Sequence, residues 1–258
     1  MMNEAAEMIE SQSSDPHPEG TAMITLIAEV STNHGGDLDR AKRFIDAYAF
    51  CTYVKFQWTR HRRLAPDDPQ SAWFTQAEIS DDGFAELAAY CQQRGTQFLA
   101  TVYHADDVEA YRQVQPQAIK IGSGEAGDRA LSAAAIGYPL RFVGAGIVSP
   151  VPHLGVTRVL RCVSRYPTPM WWARHQAIQP YHERYCGTEC GWSDHAIGIE
   201  ACEAAIMAGA TVIEKHVSLP DQARPVKPFE ATVDEMRRLR AFADQDPRRF
   251  LGRWQHGA

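Results

Sequence analysis

Gly191-Trp-Ser-Asp-His195 and Val212-Ile-Glu-Lys-His216 are the two stretches on which the reading of the fold turns. Between them, Ala196 to Ala210 is alanine-rich and amphipathic and closes on Gly209, the pattern of a helix, and Thr211-Val-Ile213 is a β-branched run suited to a buried strand. One strand-helix-strand repeat therefore separates the two histidines. It places both imidazoles at the C-terminal ends of neighbouring parallel strands, where they can converge on one metal ion or one substrate.

The same alternation runs through most of the chain. Strands are predicted at Thr25–Val30, Tyr53–Phe56, Gln97–Thr101, Ala118–Ile121, Arg141–Val143, Arg158–Val163, Cys190–Trp192 and Thr211–Lys215. Helices are predicted at Leu38–Phe50, Asp82–Arg94, Ala105–Val114, Arg129–Ile136, Arg174–Tyr185, Ile197–Ala208 and Val233–Ala243. Eight strands with trailing helices make an α/β fold of the (β/α)₈ barrel type, with its site at the C-terminal strand ends. One repeat departs from the plan. Gly144 to Thr157, with Pro150 and Pro152, leaves little beyond the dozen or so residues that a parallel crossover needs. The fifth helix is expected to be shortened or missing, and the wall it leaves bare to be covered by a second subunit of a homodimer.

Composition bounds the function classes. A chain of 258 residues that is 45% hydrophobic can bury a sizeable core. Residues 1–22, rich in Glu, Ser, Asp and Pro, read as a disordered arm, which leaves 23–258 as the barrel domain. That arm lacks an apolar signal core, and no stretch is apolar enough to span a bilayer, so the expected location is the cytoplasm. A net charge of -6 argues against nucleic acid as a partner, although Arg60-His-Arg-Arg63 forms a local basic cluster. Six cysteines without a Cys-x-x-Cys pair read as free thiols in a reducing compartment.

Polar groups crowd the ends of the predicted strands. They include Glu29 with Ser31-Thr-Asn-His-Gly-Gly36, Lys55-Phe-Gln57, Thr101 with Tyr103, and Lys120-Ile-Gly-Ser-Gly-Glu125. Ser164-Arg-Tyr-Pro-Thr168, Ser193-Asp-His195 and Glu214-Lys-His216 complete the rim. A lysine in a barrel strand must meet an anion or reach solvent, so Lys55 and Lys120 predict an anionic ligand. The Gly122-Ser123-Gly124 turn can offer backbone N–H groups and a hydroxyl to phosphate oxygens. A single histidine at a strand end usually caps a helix or satisfies a buried group. Two, one repeat apart, point instead to a divalent-metal site at His195 and His216 with open positions, Asp194 and Glu214 serving as supporting or structural groups.

These motifs, in order from Ile24 to His216, resemble the sialic acid synthases, which condense phosphoenolpyruvate with an aldose. Ile27-Ala-Glu-Val-Ser-Thr-Asn-His-Gly-Gly36, Val54-Lys-Phe-Gln57, Ile119-Lys-Ile-Gly-Ser-Gly-Glu125, Tyr166-Pro-Thr-Pro169, Ser193-Asp-His195 and Ile213-Glu-Lys-His216 carry the likeness. The resemblance implies a TIM barrel that binds Mn²⁺, or Mg²⁺ or Co²⁺ in its place, through His195 and His216. It sets the phosphoenolpyruvate carboxylate and phosphate against Lys55, Thr101, Lys120, Ser123 and Ser193, with Ser164 where the family has asparagine. Glu29 then contacts the sugar, Glu125 lies near the reacting carbon or water, Tyr166 helps line the acceptor site, and Gln57 is a further substrate-binding residue.

The sequence departs from the family at Gly144 and Ala145, where serine and threonine are usual, and at Arg224-Pro-Val-Lys-Pro-Phe229, where an acidic Pro-Asp-His-like segment is usual. The family's C-terminal antifreeze-like domain has no counterpart before Ala258, so a separate protein is expected to supply a lid, or the acceptor to be an aldehyde other than N-acetylmannosamine. A metal-dependent pyruvate aldolase or lyase, and a ligand-binding barrel without catalysis, are the alternative readings.

Overall fold

A computed structural model describes residues 23–60, 71–146, 157–177 and 190–245. Eight parallel strands close into a barrel in sequence order: β1 (Thr25–Ser31), β2 (Tyr53–Trp58), β3 (Gln97–Val102), β4 (Ala118–Ile121), β5 (Leu140–Ala145), β6 (Thr157–Cys162), β7 (Cys190–Asp194) and β8 (Val212–His216). The helices are α1 (Leu38–Tyr48), α2 (Ser71–Gln76), α3 (Asp81–Gln93), α4 (Val108–Gln113, after a 3₁₀ turn), α5 (Arg129–Ala134), α6 (Met170–Ala177), α7 (Glu200–Met207) and α8 (Val233–Asp244). Their starts follow local chemistry. Asp37, Ser80, Asp128 and Thr232 each cap a helix by accepting a backbone N–H, and Thr232 forms a capping box with Glu235.

Three expectations need correction. The unpredicted α2 is too short to show a periodic face, and it is held by Trp73, whose Nε1 donates to Thr32 Oγ1 over 2.9 Å. The sixth helix starts at Met170 rather than Arg174. The seventh starts at Glu200 rather than Ile197, because Gly198 has a φ of 77° and breaks the helical path. The fifth crossover, over 147–156, lies outside the described residues, as do the arm at 1–22 and the expected continuation of α6 to Tyr185. Among the described residues no helix is long and apolar enough to cross a membrane.

The period of two along each strand sorts side chains into layers. At the bottom of the barrel, Ile27, Tyr53, Leu99, Ala118, Phe142, Leu160 and Val212 form a closed apolar plug. Gly191 completes it, since a Cβ there would strike the Val212 carbonyl and lie 2.5 Å from Leu160. One pleat higher, the inward positions become Glu29, Lys55, Thr101, Lys120, Cys162, Ser193 and Glu214, all lining one cavity. The opposite faces of the strands pack on the helices in the larger core, which includes Val54, Phe56, Trp58, Phe98, Ile213 and Leu239. The plug seals the base and fixes the level at which charges begin.

His34, in the loop after β1, is not a cavity group. It is buried, takes the Gly36 N–H on Nδ1 at 3.0 Å and packs near Phe56. Burial lowers its pKa from 6.5 to about 4, so it is neutral in the folded protein and protonates sooner when unfolded. Its contribution to stability is present above pH 6.5 and is lost as pH falls toward 4, amounting to roughly 3 kcal/mol. Urea denaturation of wild type and His34→Gln between pH 7 and 4 should show a flatter acid decline in the variant; parallel curves would contradict this assignment.

Candidate active site

The charged layer is a short alternating chain of ions. Lys55 Nζ lies 2.7 Å from Glu29 Oε2 and 3.7 Å from Glu214 Oε2, and donates to Thr101 Oγ1 at 2.8 Å. Lys120 Nζ donates to both Glu214 oxygens, at 3.0 and 2.9 Å, and Ser193 Oγ donates to Oε1 at 2.9 Å. Gln57 Nε2 reaches Glu29 Oε1 at 3.3 Å. All four ions are buried, and neighbouring strands hold them at fixed height. Burial alone would raise Glu214, but the ammoniums of Lys120 and Lys55 overcome it and hold this carboxyl well below the usual carboxylate range. Glu29 goes the other way: burial and the nearby Glu214 charge outweigh Lys55, which makes Glu29 the member of the pair that takes a proton more readily.

The cavity above this layer has a volume of about 490 Å³. One side is the Gly122-Ser123-Gly124 turn. Ser123 Oγ and Ser164 Oγ are 3.1 Å apart, and Cys162 Sγ is 4.0 Å from Ser164 Oγ. Gly144 makes room for this turn, since a Cβ there would come within 2.9 Å of the Ser123 nitrogen. Gly122 makes room for Glu125, whose Oε2 occupies the space a Cβ would need. Burial raises the Glu125 carboxyl.

The other side holds the imidazoles. His195 and His216 have ring centroids 5.5 Å apart, and Tyr166 lies 4.1 Å from His195. Phe229 is 5.3 Å from both His216 and Tyr166. His195 Nδ1 is 2.7 Å from the Val163 carbonyl, which can only accept, so Nδ1 carries the proton and Nε2 keeps its lone pair. Burial lowers the pKa of both rings, with His195 and Lys55 adding to the effect at His216, and keeps them neutral.

Behind the histidines, on the outer face of the barrel, Asp194 and Lys215 are register partners on β7 and β8. Both are fully buried. Lys215 Nζ donates to Asp194 Oδ2 at 2.5 Å and to the Ala196 carbonyl at 2.6 Å, and Trp192 Nε1 donates to Asp194 Oδ1 at 3.1 Å. Each member of the pair immediately precedes one of the histidines.

Glu29, Lys55, Gln57, Thr101, Lys120, Ser123, Glu125, Tyr166, Ser193, His195 and His216 thus meet around one cavity. Ser164 stands behind Ser123 rather than on the lining. The sequence reading gave Glu214 only a supporting part, whereas it bonds both Lys120 and Ser193. Its position two residues before His216 on a strand was the available signal. Phe74, from the unpredicted α2, and Arg224, Lys227 and Phe229, from the loop after β8, also line the cavity. Among the described residues, no three His, Cys, Asp or Glu side chains gather as a metal-binding group.

The fold and the cavity define a TIM-barrel protein with two buried lysines, each paired with glutamate, opposite two imidazoles. The chain belongs to the NeuB family, whose model matches residues 46–139 and 155–245. It is 28% identical over 224 residues to the N-acetylneuraminate-9-phosphate synthase of Drosophila melanogaster, covering 76% of this chain and 60% of that protein. It is 29% identical to a spore coat polysaccharide biosynthesis protein of Bacillus subtilis, covering 77% of this chain and 60% of the relative. Among solved structures, the N-acetylneuraminic acid synthetase of Leptospira borgpetersenii superposes with a TM-score of 0.80 at 27% identity, over 92% of this chain and 86% of that one. The chain spans about 60% of the length of these curated relatives.

The Asp194–Lys215 pair should matter through position. Asp194→Ala, which strands a buried ammonium, is expected to cost about 3–5 kcal/mol, and Asp194→Leu combined with Lys215→Met to recover much of it. Chemical denaturation of both variants checks this. A single variant within 1 kcal/mol of wild type would refute it.

Proposed function

We propose that the protein condenses phosphoenolpyruvate with an aldose or sugar-like aldehyde, giving a 2-keto-3-deoxy acid and inorganic phosphate. The observation that carries this reading is the convergence of Lys55 and Lys120 with His195 and His216 on one cavity. Phosphoenolpyruvate would lie with its carboxylate and phosphate against Lys55, Thr101, Lys120, Ser123 and Ser193, with Ser164 steadying Ser123. Glu214 holds Lys120 at close range and Lys55 nearby, so little reorganisation is needed when the anion arrives.

C3 of phosphoenolpyruvate forms a bond to the aldehyde carbon, and the aldehyde oxygen takes up a proton to become a hydroxyl. Water adds to C2 and loses one proton, and the C2–O bond to phosphate then breaks as the remaining C2 hydroxyl gives its proton to the departing phosphate, leaving a ketone. Glu125, half-buried at the turn, is the group we assign to the water proton. Glu29, the carboxyl of the layer that protonates more readily, is assigned to a hydroxyl of the acceptor. Gln57 and Tyr166 line the acceptor side.

The two imidazoles fit a divalent cation: both are neutral, and the proton on His195 Nδ1 fixes its Nε2 as a donor to metal. His195 and His216 would hold the ion, Mn²⁺ in our reading. When bound it supplies a Lewis acid that draws charge from the aldehyde oxygen. A homodimer and a cytoplasmic location, the compartment suited to the free thiols of Cys51, Cys91, Cys162 and Cys202, complete the proposal.

Phosphate release from phosphoenolpyruvate should require both an aldehyde and a divalent ion, and Lys120→Met should lower kcat/KM by about 100-fold or more. A panel of aldoses that never stimulates release above the aldehyde-free rate would overturn the reading. Calorimetry should show Mn²⁺ affinity that His195→Ala and His216→Ala each remove; unchanged affinity would refute the metal assignment.

A further inference from the structure

The loop that follows His216 returns to the barrel at once. The Ala231 N–H donates to the His216 carbonyl at 2.8 Å, and the Ser218 N–H to the Ala231 carbonyl at 3.0 Å. Glu230 fixes the loop from within. Its oxygens accept Asn33 Nδ2 at 3.0 Å, Gln222 Nε2 at 2.9 Å and the Lys227 N–H at 2.9 Å. Arg224 Nε donates to Asn33 Oδ1 at 3.2 Å, and its guanidinium sits 5.2 Å from the Trp73 ring centroid. Lys227 Nζ sits 5.5 Å from the Phe229 centroid, and Phe229 is in turn 5.3 Å from that of His216.

Arg224 and Lys227 therefore hang, half-buried, on the cavity wall beside the imidazoles. Among the described residues no carboxylate forms a salt bridge with either side chain. Glu230, the carboxylate whose charge reaches both, is spent on neutral donors. Burial lowers both pKa values, and at Lys227 the charge of Arg224 adds to that. Deeper in the cavity the ions balance, two lysines against two glutamates. Among the described residues the loop thus sets two cations, Arg224 and Lys227, against the single carboxylate of Glu230, a surplus of positive charge that an anion would relieve.

We propose that Arg224 and Lys227 form a subsite for an anionic group, phosphate or carboxylate, on the aldehyde acceptor, at the end remote from its reacting carbon. The proposal rests on the condensation reading above for its acceptor. The deeper cradle takes the anions of phosphoenolpyruvate, and Phe229 and Tyr166 carry the acceptor from the imidazoles to the loop. Arginine can give a phosphate or carboxylate two parallel hydrogen bonds, with lysine adding a point charge.

The test compares mannose, mannose 6-phosphate and mannuronate in phosphate release with saturating phosphoenolpyruvate and Mn²⁺. The wild type should favour at least one charged acceptor over mannose by about tenfold or more in kcat/KM. Which of the two it favours tells phosphate from carboxylate. Arg224→Gln with Lys227→Gln should abolish that preference through KM for the acceptor, and Arg224→Lys should restore part of it. Equal use of the three acceptors, a preference that survives the double substitution, or a rise confined to the KM for phosphoenolpyruvate would each overturn the subsite.

Calorimetric titration of mannose 6-phosphate and mannuronate into the folded protein with phosphoenolpyruvate present reads the subsite without turnover. Binding of either that the double substitution removes, with no phosphate released, supports the subsite while overturning the condensation. Release from mannose alone, with neither charged sugar bound, does the reverse.

Discussion

The site depends on one buried carboxylate. Glu214 lies between Lys55 and Lys120 on the level directly above the apolar plug, and neither ammonium could stay charged and dry there alone. The lysines sit between the apolar plug below and the open cavity above, so their charge has to be met within the barrel. Glu214 answers Lys120 directly and shares Lys55 with Glu29, two carboxylates against two ammoniums, while its own pKa is held low. Ser193 adds a hydrogen bond from the neighbouring strand, so the cluster ties β2, β4, β7 and β8 across the barrel.

Outside the barrel a second ion pair does a different job. Asp194 and Lys215 point away from the cavity because side chains alternate along a strand, so the residues before the two histidines are necessarily outward. Their bond joins β7 to β8 and fixes the relative height of the next residues, His195 and His216. The two pairs are one residue apart in sequence and on opposite faces of the same sheet. Chemistry faces inward, and registration faces outward.

Much of this was legible from the chain. The β-branched runs gave the strands, and period-two alternation carried Glu29, Lys55, Thr101, Lys120, Ser193 and both histidines to one rim. Three things were not. The six residues of α2 are too few to display a periodic face, so Phe74 could not be assigned to the cavity, nor Trp73 to its bond with Thr32. The loop after β8 has no periodicity at all, and its path is set by Glu230 with Gln222 of the same loop and with Asn33, 197 residues away. Gly144 reads in sequence only as a lost hydroxyl. In three dimensions it is room for the backbone of Ser123, a close approach that no pattern of residue types encodes.

The anchoring of that loop through Glu230 has a consequence for how such a barrel can diversify. Its hold on the scaffold runs through Asn33 and the backbone at Val217 and Ala231; Arg224 adds one side-chain bond to Asn33, while the anchoring bond at 227 comes from the backbone N–H and is independent of the side chain. A change of side chain at 227 therefore alters the charge at the edge of the cavity while the bonds that seat the loop on the barrel stay in place.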